Sequence, residues 1–137
     1  MYQVYFLSLV TLVASSVSLG FDRLDEQLHV GSLLSRNFVT RASFRLGLGI
    51  VTLLVGFFQF LTVAPGDVPV VGDLVPALTG MVLGATLVLI YYQEHAEVES
   101  AFVERLDVLL VRNASNLAYL GLLVALLHFF LHRVLFL

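Results

Sequence analysis

The chain has 137 residues, enough for one domain, and 59 % of them are hydrophobic against 12 % charged, with a net charge of −3. A mean hydropathy of +0.97 and a charged fraction about half the soluble norm of ~25 % exclude an ordinary water-soluble domain. With no cysteine, disulfides, thiolate metal centres and thiol catalysis are excluded; with no lysine and only dispersed arginines, there is no basic patch for nucleic acid.

The charge-free runs define the architecture. Four of them, residues 1–21, 46–66, 74–93 and 113–132, are each about as long as the ~20-residue helix that crosses ~30 Å of hydrocarbon. The sequence therefore predicts a single all-α integral membrane domain over 1–137: an antiparallel bundle of four transmembrane helices, spanning about 3–20, 41–62, 74–93 and 113–135. Connectors 21–40 and 94–112 continue it as helical cytoplasmic extensions, and 63–73 forms an outer loop.

The first run lacks the leading Lys or Arg of a signal peptide and reads as a retained span. Its polar residues Ser8, Thr11, Ser15 and Ser18 recur at helical spacing on one face. Gly20 suits a C-cap and Asp22 a new N-cap. The connector that follows places Phe21, Leu24, Leu28 and Leu34 on roughly one side, as an interfacial helix would. Thr40 or Ser43 can cap the second span, whose stripe is Gly49, Thr52, Gly56 and Gln59.

All three prolines fall between the second and third spans; Pro65-Gly66 suits the centre of a type II turn, and Asp73 an N-cap with Pro76 tolerated in the turn after it. The third span carries Ala77, Gly80 and Gly84, the last two at the close-packing spacing, and ends on Tyr91 and Tyr92. The second connector is acidic, with Val98, Phe102, Leu106 and Leu109 as a candidate apolar face. The fourth span repeats the stripe as Ala114, Ala118, Gly121, Ala125, His128 and His132.

Six of the seven arginines lie in or beside the two connectors, so the positive-inside rule places both connectors in the cytoplasm and both termini outside, in a membrane such as the prokaryotic cytoplasmic membrane. The halves echo each other: Arg23-Leu24-Asp25 and Arg105-Leu106-Asp107, Arg36-Asn37 and Arg112-Asn113. The spacings drift by several residues, so a two-plus-two internal repeat and coincidence both account for them.

Two constellations bear on function. His128 and His132, four apart on one face, have the spacing that lets two imidazoles share a metal, with Asp67 or Asp73 as a third ligand from the loop. Ser15, Thr52 and Gln59 lie on stripes that line either a helix contact or a polar path; in lipid, small residues at this spacing need no explanation beyond close packing. Both membrane-embedded histidines are on one helix, which disfavours haem held between facing helices, and no cofactor is expected. The sequence has no phosphate loop, Ser–His–Asp set or His-Glu-x-x-His motif, so an enzyme is the least supported class. A small-solute or ion transporter or channel, working as a homo-oligomer because four short helices enclose little volume, is the leading expectation. A non-catalytic accessory or assembly subunit, docked to a cytoplasmic or membrane protein partner, is the alternative. The lipid bilayer is a partner in both.

Overall fold

The computed structural model describes residues 2–62, 73–97 and 100–131. Nearly all of the expected outer loop, including Pro65-Gly66 and Asp67, lies outside the described residues, as do Val98, Glu99 and the chain from His132 onward. The described residues are helical, without a strand. Four long helices run as α1 (Tyr2–Leu28), α3 (Ala42–Leu61), α4 (Leu74–His95) and α6 (Ala114–Phe130). Short α2 (Arg36–Val39) lies between α1 and α3, and α5 (Ala101–Leu106) followed by a π-helical turn (Asp107–Val111) leads into α6.

Contacts between helices fix an antiparallel order. Ser8, Ser15 and Ser18 on α1 meet Gln59, Thr52 and Arg45 on α3, so one helix ascends as the other descends. On the α3–α4 side, a Cβ added at Gly49 would meet Gly84 O at 3.0 Å and one at Gly56 would meet Ala77 O at 2.8 Å, again in opposite directions. Helix α6 returns along α1, where a Cβ at Gly20 would come within 2.6 Å of Ala118 Cβ. Leu12, Leu83, Leu87 and Ala125 fill the shared centre.

The stripes read from the sequence land inside. Ser8, Thr11, Ser15 and Ser18 are all buried, as are Gly49, Thr52, Gly56 and Gln59, and Ala118, Gly121, Ala125 and His128. The outward faces carry the large apolar side chains, among them Phe6, Leu54, Phe58, Leu126 and Phe129. Helices α1, α3 and α4 are each long and apolar enough to cross a membrane; a fourth such span exists if Ala101–Val111 and Ala114–Phe130, bent by 55°, are taken as one.

Four expectations are corrected. Gly20 does not end α1: its backbone (φ −103°, ψ 17°) kinks the helix, which continues to Leu28 because Phe21 and Leu24 are buried and give the extension its own apolar face. Asp22 therefore caps nothing and pairs with Arg36 at 3.0 Å. The end of α1 is made instead by His29 in the left-handed region (φ 53°), with Asp25 accepting from Gly31 N–H at 2.6 Å. Neither Thr40 nor Ser43 caps α3; Arg41 holds the cap position and Thr40 Oγ1 donates back to Arg36 O. The predicted apolar faces of the connectors are not buried as units, since Leu28, Leu34, Phe102 and Leu109 are exposed. Asp73 does hold the N-cap position of α4, with Pro76 buried in its first turn, but its carboxylate makes no capping bond.

Candidate functional site

The polar side chains of α1 and α3 form a buried column along the bundle. It begins at Tyr5, whose hydroxyl donates to His128 O at 2.9 Å and whose ring lies 4.6 Å from the imidazole at a 49° tilt. His128 is fully buried. Its Nε2 stands 3.5 Å from Gln59 Nε2, and Ser8 Oγ donates to Gln59 Oε1 at 3.0 Å. With the Gln59 oxygen occupied by Ser8, its amide N–H is the donor toward His128, so that contact requires Nε2 to present its lone pair. The orientation of the amide follows from this network. Asp73, at the start of α4, lies close enough to act electrostatically on Tyr5. Four helices thus contribute to this end.

One turn deeper, Thr11 Oγ1 donates to Leu7 O at 2.9 Å within its own helix. Ser15 and Thr52 then meet at 2.7 Å, both fully buried. Thr52 spends its proton on Leu48 O at 2.7 Å, so Ser15 is the donor of the interhelical bond. The column closes at Ser18, whose hydroxyl donates to Val39 O at 2.8 Å. Arg45 donates from Nη2 to Ser18 O at 2.8 Å and from Nε to Ser18 Oγ at 3.3 Å. The kink at Gly20 explains the carbonyl bond, because disturbing the helical ladder there leaves the Ser18 carbonyl for another donor.

Of the residues singled out from the sequence, Ser15, Thr52 and Gln59 are brought into this one column. His128 joins it at the Tyr5 end, while His132 lies outside the described residues. A metal at His128 Nε2 would have to displace the Gln59 amide, and among the described residues no group of three His, Cys, Asp or Glu side chains gathers in reach of one ion. His29 and His95 are exposed in the connectors, His95 stacked on Tyr91 at 4.1 Å.

Three contributors were not legible as such. Tyr5 sits off the small-residue stripe, and its hydroxyl is recognisable only once α6 is placed beside it. Arg45 reads as an orienting charge, and its place against Ser18 depends on the kink. Ser16 is off the stripe altogether, yet it is fully buried where Gly121 of α6 crosses α1, and its Oγ has no hydrogen-bond partner.

No curated protein and no solved structure matches this chain. A family model does match, over residues 1–128, from the first turn of α1 to the histidine of the polar column, and the chain belongs to that family, one of unknown function.

Proposed function

We propose that the protein is an integral membrane protein whose four long helices form an antiparallel bundle, acting as a non-catalytic accessory or assembly subunit of a larger membrane complex. The membrane reading rests on the inverted distribution of side chains: Phe6, Phe58 and Phe129 face outward while Ser15, Thr52, Gln59 and His128 are inside. The arginines near both connectors favour cytoplasmic connectors with both termini outside. The assembly reading rests on one observation, that the polar groups of the column bond to one another or to their own helices, which is how a packing seam is built. The acidic connector around α5 supplies a surface for a cytoplasmic partner, and the sequence echoes between halves fit a two-plus-two repeat.

A second reading, a small-solute or ion transporter or channel working as a homo-oligomer, is favoured by the length of the column, which runs from Tyr5 and His128 at one end to Ser18 and Arg45 at the other. The two readings part in a reconstitution experiment. Purified protein in liposomes is assayed for flux of protons, monovalent cations and small neutral solutes, and its mass in detergent is measured. Assembly predicts no flux above protein-free vesicles, and cross-linking in native membranes to a partner in fixed stoichiometry. Flux abolished by Thr52→Val or Gln59→Leu, in protein that still folds, overturns it in favour of transport.

A further inference from the structure

We propose that the segment joining α1 to α3 lies in the membrane interface at the connector end, with Leu33 and Phe38 in the upper acyl region and Arg36 and Arg41 on the phosphates of anionic phospholipids. The inference rests on the membrane reading above.

The first observation is exposure. Leu33 is 86 % exposed, Leu28 68 % and Phe38 58 %, all within eleven residues of a short loop and a single helical turn. Phe38 and Phe44 place their rings 4.8 Å apart. Phe44 opens the face of α3 that continues at seven-residue steps through Val51 and Phe58, both exposed. The apolar surface of the connector is thereby continuous with the outward face of a spanning helix, which is the surface lipid covers.

The second observation is charge. Arg23, Arg36, Arg41 and Arg45 lie in or beside this connector. Asp25 is turned onto the Gly31 N–H, and Asp22 pairs with Arg36 in a bridge that leaves both side chains mostly exposed. Among the described residues, no carboxylate lies within ion-pair distance of Arg41 or Arg23. Apolar side chains interleaved with arginines beside a membrane-spanning helix are complementary to an anionic headgroup layer: the former enter the acyl boundary while the latter meet phosphate. A protein partner would also require an acidic surface, whereas the headgroup layer supplies both features at the depth where this segment sits.

The sequence has no tryptophan, so Leu33→Trp introduces a unique fluorophore. Leu54→Trp, on the exposed face of α3, reports on the membrane reading separately. Each variant is reconstituted as full-length protein in phosphatidylcholine vesicles containing phosphatidylglycerol, with bromine placed shallow or deep in the acyl chains. The indole of Leu54→Trp is expected to be quenched by deep bromine and that of Leu33→Trp by shallow bromine. Energy transfer from the Leu33→Trp indole to dansyl-labelled lipid is expected to favour phosphatidylglycerol over phosphatidylcholine by at least about threefold, within the ~fivefold an arginine near a surface contributes. Adding Arg36→Gln and Arg41→Gln brings that ratio to about one. Deep quenching of the Leu54→Trp indole without shallow quenching of the Leu33→Trp indole overturns the proposal and leaves the membrane reading standing; failure of both indoles removes the membrane reading itself. A Leu33→Trp indole shielded in lipid-free detergent oligomers assigns the surface to a second copy and overturns it as well. Equal transfer to both lipids in the parent overturns the arginine assignment.

Discussion

Gly84→Ala tests the packing argument at its tightest point. A methyl group on Gly84 would lie 2.7 Å from Gly49 O, 2.7 Å from Leu53 N and 2.9 Å from Leu53 Cβ. Two of these three are backbone atoms of α3, which no rotamer change can move. Restoring an ordinary separation of ~3.5 Å requires α3 and α4 to part by about 0.8 Å. The same seam holds Gly49 against Leu87 and Gly56 against Ala77 and Met81, so parting the helices opens those contacts too, and a gap of that size forfeits about a quarter to a half of each dispersion contact. The cost lies near the upper end of overpacking, about 3 kcal/mol, offset by up to ~1 kcal/mol of helix propensity gained on replacing glycine. Gly47→Ala is the control, because an added Cβ at exposed Gly47 meets nothing within 4 Å and keeps the propensity gain alone. The two alanine variants should differ by about 3 kcal/mol, roughly two powers of ten in the unfolding equilibrium. The measurement is unfolding in mixed dodecyl maltoside–SDS micelles followed by helical circular dichroism. If Gly84→Ala unfolds at the same SDS fraction as the parent, the helices are not held by this seam and the reasoning fails.

The other predictions use the same titration unless stated. Gln59→Leu strands Ser8 Oγ and the imidazole of His128 without their shared partner, and should destabilise by about 1–3 kcal/mol; a double-mutant cycle with Ser8→Ala should then show non-additivity, and strict additivity would mean the two do not interact. Ser16→Ala removes a buried hydroxyl that makes no hydrogen bond and should be neutral or stabilising by about 1 kcal/mol, so a clear loss would show that the hydroxyl has a partner after all. Arg45→Leu deprives the Ser18 carbonyl of its donor at the kink and should cost about 2 kcal/mol, with Arg45→Lys recovering only part because an ammonium cannot span both Ser18 oxygens with a planar fork. For the metal reading of His128 and His132, calorimetric titration with zinc should give binding that His128→Ala abolishes; binding unchanged by that substitution removes His128 as a ligand.

The seven-residue stripes were readable because lipid imposes them. With large apolar side chains facing outward, small and hydroxyl residues are what remains for the contacts between helices, so their spacing reports the buried face without knowledge of any partner. Gly80 and Gly84 show the limit of that signal. The pattern treats them alike, yet a Cβ at Gly80 would meet nothing nearer than 3.7 Å, while Gly84 sits against backbone. The difference depends on where Gly49 and Leu53 of α3 arrive, which no local pattern contains. Gly20 misleads for a related reason: glycine serves both to end a helix and to admit a close neighbour, and only Ala118 decides between them. The π turn at Asp107–Val111 was equally invisible. It inserts a residue into the helical period, and the Asp107 carboxylate that bonds Arg112 at 3.3 Å and Gln93 at 2.9 Å joins residues five and fourteen apart.

The distribution of polar groups also indicates which of them specify the arrangement. In water, exposing Phe6, Phe58 and Phe129 while burying Ser15, Thr52 and Gln59 would forgo roughly 1.5–3 kcal/mol for each large side chain, so this surface favours an apolar solvent. Inside such a bundle most hydroxyls are satisfied locally: Thr11, Thr52, Thr79 and Thr86 each donate to the carbonyl four residues back, so they constrain their neighbours little. Gln59 and His128 differ. Neither side chain can be satisfied by its own helix alone, and they belong to α3 and α6, the two long helices that share the least contact among the described residues. A slide of α3 along α1 by one turn would break Ser8 from Gln59 and Gln59 from His128 together, leaving polar groups stranded where water does not reach, at about 1–3 kcal/mol each. The small residues permit several close registers; the Ser8–Gln59–His128 chain selects one of them.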